Sequence, residues 1–453
     1  MIQYKKLKNV MVCFILLLFT VSVFGQPTVL SREQMIEDID ILFSTIGEVH
    51  PDMFAIYPEE KLRKDIERIK SELAPSGNAL YLFKRVKPLV AKLGDGHTFI
   101  RLPRDSEFFT HIFPFSVRIS YPDKVVRVEN DYTQTQNTIP AGAQITSINN
   151  RQVNDIVQEA LNYVSGESNS FKISQIERRF SFMLHILYGE SMFNIEYMYN
   201  QEKHSVQVSG ISFEEFESAS RRSNSNLASD NYTFRTLPGE SIGIIEFNQF
   251  VDLDRFKVFL DSTFRILQEE NIENLIIDIR RNGGGNSALG DVFFQYISPV
   301  PFAQFGRVIV RYSDIQREFH RRFGWEITNP NGVVVYNENP TLIELKKNDL
   351  RYKGNVFLLT SHSTFSSAVS FSCAFKYFNM GTIVGEETGG MTVTFGDVIM
   401  QRLPNSGLSY GISHKRFYHY GTTGENIHGT LPDYNVRSEK ALDFAIDLMR
   451  RRK

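Results

Sequence analysis

The sequence predicts an α/β protein in which a helical beginning and a middle section of short strands precede a parallel sheet with crossover helices. The prediction rests on the pattern after residue 231, where short apolar runs alternate with segments of helical spacing. These runs include Leu275–Ile279, Val308–Val310 and Val356–Leu359, and the first and last of them lead into a glycine-rich turn and a serine-rich loop. Continuous apolar runs of this length are typical of strands that are buried on both faces of a sheet.

Length and composition indicate an ordinary folded protein of several domains. The chain has 453 residues, which is too long for one compact core and suggests about three domains at roughly 150 residues each. Hydrophobic residues make up 42% and charged residues 23% of the chain. The formal net charge is −2, and the main basic block is the terminal Arg450–Lys453. This charge distribution disfavours a nucleic-acid partner.

The N-terminus has the pattern of a secretory signal peptide, residues 1–25. Three lysines precede an apolar run, Val10–Phe24, and small residues occupy the cleavage positions. A retained membrane anchor is the alternative, although a spanning helix needs about 20 apolar residues. We therefore expect an exported protein that has no stable membrane insertion after signal removal. The mature chain keeps one cysteine, Cys373, which we interpret as a buried small hydrophobe.

The mature chain divides into three parts. Residues 26–104 are predicted to form an N-terminal helical domain that ends in the loop Gly94–Thr98, which contains His97. Residues 105–220 change to short strands, and Ile139–Val153 with the helix after it resembles the second half of a PDZ domain. A small strand–helix module that only packs is the alternative. Residues 221–230 are linker-like, and residues 231–453 form the predicted α/β core.

Ser366 lies where a buried strand gives way to a predicted helix. The unpaired N–H groups and the positive end of the helix dipole at such a junction face an attacking oxygen and the oxyanion that it makes. The sequence alone leaves a second interpretation open, in which Ser366 or Ser367 is only a helix N-cap.

The glycine-rich turn that follows Leu275–Ile279 has three possible interpretations. Its three consecutive glycines, Gly283–Gly285, allow unusual dihedral angles and let backbone N–H groups converge on an anion. A loose dinucleotide fingerprint is one alternative, and a tight turn that only packs helix on strand is another. A Walker loop is excluded because Asp291 follows Gly290 where a lysine is required. An oxyanion-binding turn is the preferred interpretation, so no cofactor is expected.

Together these stretches resemble the tail-specific, or C-terminal processing, serine peptidases, in particular the branch related to tricorn core protease and interphotoreceptor retinoid-binding protein. Five blocks stand in the family's order around the PDZ-like insertion. The blocks are Leu93–Thr98, Asp278–Gly285, Thr364–Ala368, Val384–Gly390 and Gly429–Asp433. The resemblance implies a ClpP/crotonase-like α/β peptidase core.

The resemblance also implies roles for individual residues. The nucleophile is Ser366, and the oxyanion hole is formed by the N–H of Ser367 with that of Gly284 or Gly285. Many family members use a lysine base at a position where this chain has Met391, which cannot accept a proton.

The tricorn-like branch instead pairs its serine with a histidine at the position of His97. A neutral imidazole can accept the hydroxyl proton at neutral pH. The same branch places an orienting glutamate near the last block, for which Glu425 is the candidate here. Asp95 is interpreted as a side chain that caps its own loop.

The resulting expectation is an exported serine endopeptidase that acts on protein or peptide substrates through an acyl-enzyme on Ser366. No His/Cys/Asp set has the spacing of metal ligands, so no metal is implied. The rival is a catalytically inactive protein of the same fold that binds peptide or an apolar ligand, since retinoid-binding relatives keep the fold without proteolysis.

Overall fold

The computed structural model describes residues 29–103, 108–133, 138–223, 231–336 and 340–451. The predicted signal peptide, residues 1–25, lies outside the described residues, as does most of the linker-like stretch 221–230. Among the helices of the described ranges, none is both long and apolar enough to cross a membrane.

The N-terminal part is helical, as predicted. The first helix begins with a capping box, in which Ser31 accepts a hydrogen bond from the Gln34 N–H and the Gln34 side chain accepts one from the Ser31 N–H. The elements of this part are β1 (Leu30–Ser31), α1 (Arg32–Val49), α2 (Glu59–Ser71), β2 (Ser76–Gly77), α3 (Ala79–Lys92) and β3 (Phe99–Arg101).

The middle part forms an antiparallel sheet in the order β4-β5-β6-β8-β9, with β7 beside β6. Its elements are β4 (Phe115–Ile119), β5 (Val126–Asp131), β6 (Gln144–Ile148), β7 (Arg151–Gln152), α4 (Val153–Ala160), α5 (Asn169–Tyr188), β8 (Met192–Tyr199), β9 (Glu202–Ser209) and α6 (Phe213–Ser223). Helix α5 extends through Phe180–Tyr188, and its buried face packs on β4. The PDZ-like identity of this part stays a prediction.

The C-terminal part contains the predicted α/β core. Five parallel strands follow the order β11-β12-β15-β16-β19, and β10 adds an antiparallel edge. The elements are β10 (Tyr232–Thr236), β11 (Ile242–Phe247), α7 (Leu253–Glu269), β12 (Asn274–Asp278), α8 (Ala288–Ile297), β13 (Phe305–Tyr312), α9 (Asp314–Arg321), β14 (Gly332–Tyr336), β15 (Asn355–Thr360), α10 (Ser367–Tyr377), β16 (Thr382–Gly385), β17 (Val393–Arg402), β18 (Ser409–His419), β19 (Tyr434–Asn435) and α11 (Ser438–Arg451).

One predicted strand of the parallel sheet belongs elsewhere. The run Val308–Val310 lies in β13, which pairs antiparallel with β14 and β18 in a second sheet of order β14-β13-β18-β17. Periodicity identifies a strand but not its partner, so the alternation of strand and helix could not separate the two sheets. The short N-terminal strand β3 also pairs with β18, which brings the His97 loop to this second sheet.

The hydrophobic cores explain how distant segments meet. One core lies on the face of the parallel sheet that α7, α8 and α10 cover, and a smaller core lies under α11 on the other face. A third core contains residues of α1 to α3, of the middle part and of β17 and β18. Because this third core is continuous, it fixes the N-terminal loops against the C-terminal strands.

Candidate active site

The glycine-rich turn and the serine loop lie side by side because they follow neighbouring parallel strands, β12 and β15. Hydrogen bonds join the two segments. The Thr364 hydroxyl donates to the Ile279 carbonyl at 3.0 Å, and the Phe365 N–H donates to the Asn282 carbonyl at 3.0 Å. Ligand and catalytic sites commonly occupy this carboxyl end of parallel strands.

Ser366 has a strained backbone, with φ 55° and ψ −129°, immediately before α10. A positive φ is unusual for a residue with a side chain and costs of order 1–3 kcal/mol. The Ser366 side chain makes no capping hydrogen bond to the helix, so the N-cap interpretation is wrong for this residue. The Ser367 hydroxyl instead donates to the Gly285 carbonyl at 2.6 Å. The Ser366 hydroxyl therefore does not cap the N-terminus of α10 and stays available for chemistry.

The glycine turn packs against the serine so closely that a side chain has no room. A Cβ on Gly284, whose φ is +97°, would lie 2.6 Å from the Ser366 Cβ and 2.8 Å from the Ser367 nitrogen. The Gly284 N–H already donates to the Asn282 side chain at 2.8 Å. Of the two glycine amides predicted for the oxyanion hole, the geometry therefore favours Gly285.

His97 reaches this region from the loop between α3 and β3. Its imidazole stacks on the ring of Phe365, with centroids 4.5 Å apart and an interplanar angle of 23°. Phe365 in turn stacks on Phe171 of α5, at 4.1 Å and 15°. Since Phe365 directly precedes Ser366, the stack brings the predicted base to the loop that carries the predicted nucleophile, although no hydrogen bond joins the two side chains within the described residues.

Asp95 fixes the loop that carries His97, as predicted. Its Oδ1 accepts the His97 N–H at 2.7 Å, and its Oδ2 accepts the Ser413 hydroxyl at 2.7 Å. The same Oδ2 lies 3.3 Å from His50 Nε2. The Asp52 N–H donates to His50 Nδ1, so Nε2 carries the ring proton of neutral His50 and donates to Asp95.

These contacts set the charges around His97. Burial alone would raise the pKa of Asp95, but the hydrogen bonds and charge interactions with His50, His97 and Ser413 outweigh it and lower the pKa to about 2. Burial lowers the pKa of His97 below its usual 6.5, while the negative charges of Asp95 and Asp397 oppose this effect. His97 is therefore a neutral imidazole at neutral pH, the form that a general base needs.

Two further positions from the sequence analysis are the predicted orienting glutamate, Glu425, and Met391, which replaces the family's lysine. Glu425 is exposed in the loop after β18, and its backbone N–H contacts the Thr423 hydroxyl at 3.4 Å. The structure does not bring its carboxylate to the imidazole. Met391 follows Gly390, whose Cβ would lie 3.5 Å from the Ser366 nitrogen, so the position of the missing lysine is close to the nucleophile.

Sequence reasoning missed Glu167, which lies before α5. One ligand atom of each of Asp95, His97 and Glu167 lies within 4.8 Å of the other two. Among the described residues this cluster has the composition that a metal ion could use, but the Asp95 oxygens are already engaged in three hydrogen bonds. The arrangement therefore fits a proton-handling cluster better than a metal site. Local sequence gives no signal for Glu167, because its partners are about 70 residues away.

A second serine–histidine pair lies inside the protein. The Ser370 hydroxyl and His419 Nε2 are 2.8 Å apart, while His419 Nδ1 contacts the Thr392 carbonyl. Ser370 is 3% exposed and His419 1% exposed, so a substrate cannot reach them. Burial lowers the pKa of His419 to about 4. This pair ties α10 to β18 and is structural.

The parallel sheet, the strained serine at a helix N-terminus and the adjacent glycine turn define a serine hydrolase of the α/β class. Residues 241–436 match the model of peptidase family S41. The fold is similar to that of mature CPAF (TM-score 0.64, 13% identity, 90% of this chain and 94% of that chain). It is equally similar to mature CPAF complexed with lactacystin (TM-score 0.64, 14% identity, 92% and 97%).

Over residues 241–436 the chain is similar to peptidase family S41, in agreement with its resemblance to the tail-specific serine peptidases. It is a serine-type peptidase, which confirms the predicted class of enzyme. The predicted mixed α/β peptidase fold is also confirmed. The rival interpretation, an inactive binding protein of the same fold, is not favoured by these findings.

Proposed function

We propose that this peptidase is an exported serine endopeptidase that cleaves protein or peptide substrates through an acyl-enzyme on Ser366. The observation that carries the proposal is the strained backbone of Ser366 at the start of α10, with the His97 imidazole stacked on the preceding residue. The predicted signal peptide, residues 1–25, supports export.

In the proposed reaction the Ser366 hydroxyl attacks the peptide carbonyl while its proton passes to the neutral imidazole of His97. The imidazolium then donates this proton to the leaving amine, and the acyl group stays on Ser366. Water repeats the cycle in reverse order, with His97 again as base, and releases the second product. The low pKa of His97 suits it to both proton transfers because the base is unprotonated at rest.

The amides of Ser367 and Gly285 support the developing oxyanion. Ser367 is the first residue of α10, so its N–H belongs to the group of helix amides that lack an internal partner. Removal of one such donor in comparable sites costs about 3 kcal/mol of barrier, which makes this backbone arrangement as important as the base. The Ser367 hydroxyl holds Gly285 in place through its carbonyl.

The middle part of the chain supplies a way to present a substrate. If it acts like a PDZ domain, an extended peptide would add as a strand to its sheet. One of the three rings in the active-site stack, Phe171, belongs to α5 of this part, so peptide binding there and the position of His97 would be coupled through the ring contacts.

Hydrolysis of an unstructured protein such as casein tests the proposal. We expect Ser366→Ala to abolish cleavage and His97→Ala to lower kcat by roughly 10²- to 10⁴-fold. His204→Ala, on strand β9, is the matched histidine control and should retain wild-type activity. Lactacystin, which is complexed with mature CPAF, provides an inhibitor to compare. Wild-type activity in folded Ser366→Ala would contradict the proposal.

A further inference from the structure

Two buried polar atoms near the proposed catalytic pair have no hydrogen-bond partner within the described part of the chain. They are His97 Nδ1 and Glu167 Oε2. Both residues belong to the three-residue cluster whose ligand atoms lie within 4.8 Å of one another. A buried polar atom without a partner costs about 1–3 kcal/mol, so two of them in one cluster require an explanation.

Asp95, the third member, does not supply the missing contact. Its Oδ1 is 3.8 Å from His97 Nδ1, which is too far for a hydrogen bond. That oxygen already accepts the His97 backbone N–H, and the other oxygen serves Ser413 and His50. Asp95 therefore holds the loop, but within the described residues no hydrogen bond to Nδ1 fixes the orientation of the imidazole.

Glu167 is placed to fill this role. The Thr394 hydroxyl donates to its Oε1 at 3.1 Å, which leaves Oε2 for another donor. A Cβ on Gly96 would lie 3.0 Å from Oε2, so this oxygen packs against the residue immediately before His97. The absence of a side chain at Gly96 is what lets the carboxyl group approach the loop.

We propose that Glu167 is the positioning residue of the peptidase, and that its Oε2 accepts a hydrogen bond from His97 Nδ1–H in the working enzyme. With the ring proton held at Nδ1, Nε2 is free to accept the proton of Ser366. When the imidazolium forms, the Glu167 carboxylate faces its charge and takes no proton itself. This inference rests on the proposed function, and the resemblance to the family assigns the same role to Glu425.

The protonation state of Glu167 then controls activity. Burial, with repulsion from Asp95, raises the pKa of Glu167 to about 8, although nearby amides and Thr394 oppose the shift. A protonated Glu167 would donate to Nδ1 and leave the imidazole proton on Nε2, where the ring cannot act as base. The proposal therefore predicts that kcat/KM rises with pH through about 8.

The charged groups that face this cluster come from four elements. Asp95 and His97 approach from the α3–β3 loop, with His50 behind Asp95. Lys172 approaches from α5 and interacts with Glu167, and Asp397 of β17 interacts with His97. Lys172 and Asp397 lie outside the proposed hydrogen bond, so their titration would shift the profile of wild type and a Glu167 variant alike.

Steady-state kinetics of Glu167→Gln in the full chain tests the inference. A glutamine amide would donate to Nδ1 and fix the wrong tautomer, so we expect kcat to fall by roughly 10²- to 10⁴-fold with little change in KM. The alkaline rise in kcat/KM should also disappear. Glu177→Gln, which removes a partly buried carboxylate of α5 that pairs with Arg118, is the matched control and should keep the wild-type profile.

A folded Glu167→Gln with wild-type kcat and pH profile would overturn the inference, and a loss of activity in Glu425→Gln alone would assign the role to Glu425. Labelling of wild type by a fluorophosphonate separates this outcome from failure of the proposed function, because an unlabelled wild type contradicts the role of Ser366 as nucleophile.

Should Glu167→Gln fail to fold, nitrogen-15 spectra of wild type give the answer. They should show a proton on His97 Nδ1 above pH 8. An unprotonated Nδ1 at every pH would refute the inference.

Discussion

The imidazole of His97 lies flat against the ring of Phe365, with centroids 4.5 Å apart. This contact joins a loop at the end of α3 to the residue before Ser366, across about 270 positions of sequence. Stacked rings of this kind contribute about 0.5–1.5 kcal/mol beyond their buried area. The contact therefore orients the proposed base as well as stabilising the fold.

Phe365 should consequently matter to catalysis without touching the substrate carbonyl. We expect Phe365→Leu to reduce kcat while the enzyme stays folded, because leucine fills the space but offers no flat face to the imidazole. Phe305→Leu, in β13 away from the serine loop, is the matched control. Equal kcat in Phe365→Leu and wild type would show that the stack does not position His97.

The strained backbone of Ser366 predicts a gain in stability when the side chain is removed. At φ 55° a glycine avoids the clash that a Cβ creates, so Ser366→Gly should raise the free energy of unfolding by about 1 kcal/mol. Ser366→Ala loses the same hydroxyl but keeps the Cβ and should show no such gain. Denaturant unfolding of both inactive variants decides the matter, and equal stability would argue against stored strain.

The glycine turn allows a comparison of neighbouring positions. Gly284→Ala should destabilise the protein by roughly 3 kcal/mol and prevent labelling, because the new Cβ would clash with Ser366 and Ser367 at a positive φ. Gly283 has open space where a Cβ would be, so Gly283→Ala should unfold close to wild type. Thermal unfolding measures the difference. Similar losses at both positions would contradict the packing described for Gly284.

Glu167 should also affect how the free energy of unfolding depends on pH. Its pKa in the folded protein is about 8, against an ordinary 4.5, so the folded state holds the proton more tightly. The stability that comes from this tighter proton binding is fully present below pH 4.5 and is lost as pH rises through about 8. The stability difference between wild type and Glu167→Gln should shift in this direction across that interval. A constant difference would show that the folded pKa is not raised.

Lys87 should give the free energy of unfolding the opposite pH dependence. Burial lowers its pKa to about 7, and the positive charges of Arg179, Arg101 and Lys172 add to the effect. The folded protein favours the neutral amine, so stability rises with pH between about 7 and the ordinary 10.5.

Lys87→Met should therefore be more stable than wild type by a few kcal/mol near neutral pH, with the gain shrinking towards alkaline pH. Lys84→Met, on the same helix but with a partly exposed side chain, is the control. Urea unfolding across the interval measures the gain. A gain that does not depend on pH would assign the effect to packing alone.

The serine loop and the glycine turn could be predicted because each is a local signal that follows a buried strand. Their contact follows from strand order, since β12 and β15 are neighbours. The partner of β13 could not be predicted, because an apolar run fits a parallel or an antiparallel neighbour equally well.

The residues around His97 could not be predicted from local sequence. Its loop was identified through the family resemblance, whereas Glu167 meets it only because α5 and Phe171 pack on Phe365. No spacing in the sequence records such a contact between three distant segments. Glu425 shows the converse, since the motif around it suggests a site residue but the structure places it in an exposed loop.

Covalent labelling of the full chain by a fluorophosphonate, with the adduct mapped by peptide mass spectrometry, identifies the nucleophile. We expect a single modified residue, Ser366, with labelling lost in Ser366→Ala and strongly slowed in His97→Ala. A well-folded wild type that stays unlabelled, or an adduct on another serine while Ser366 remains unmodified, would contradict this expectation.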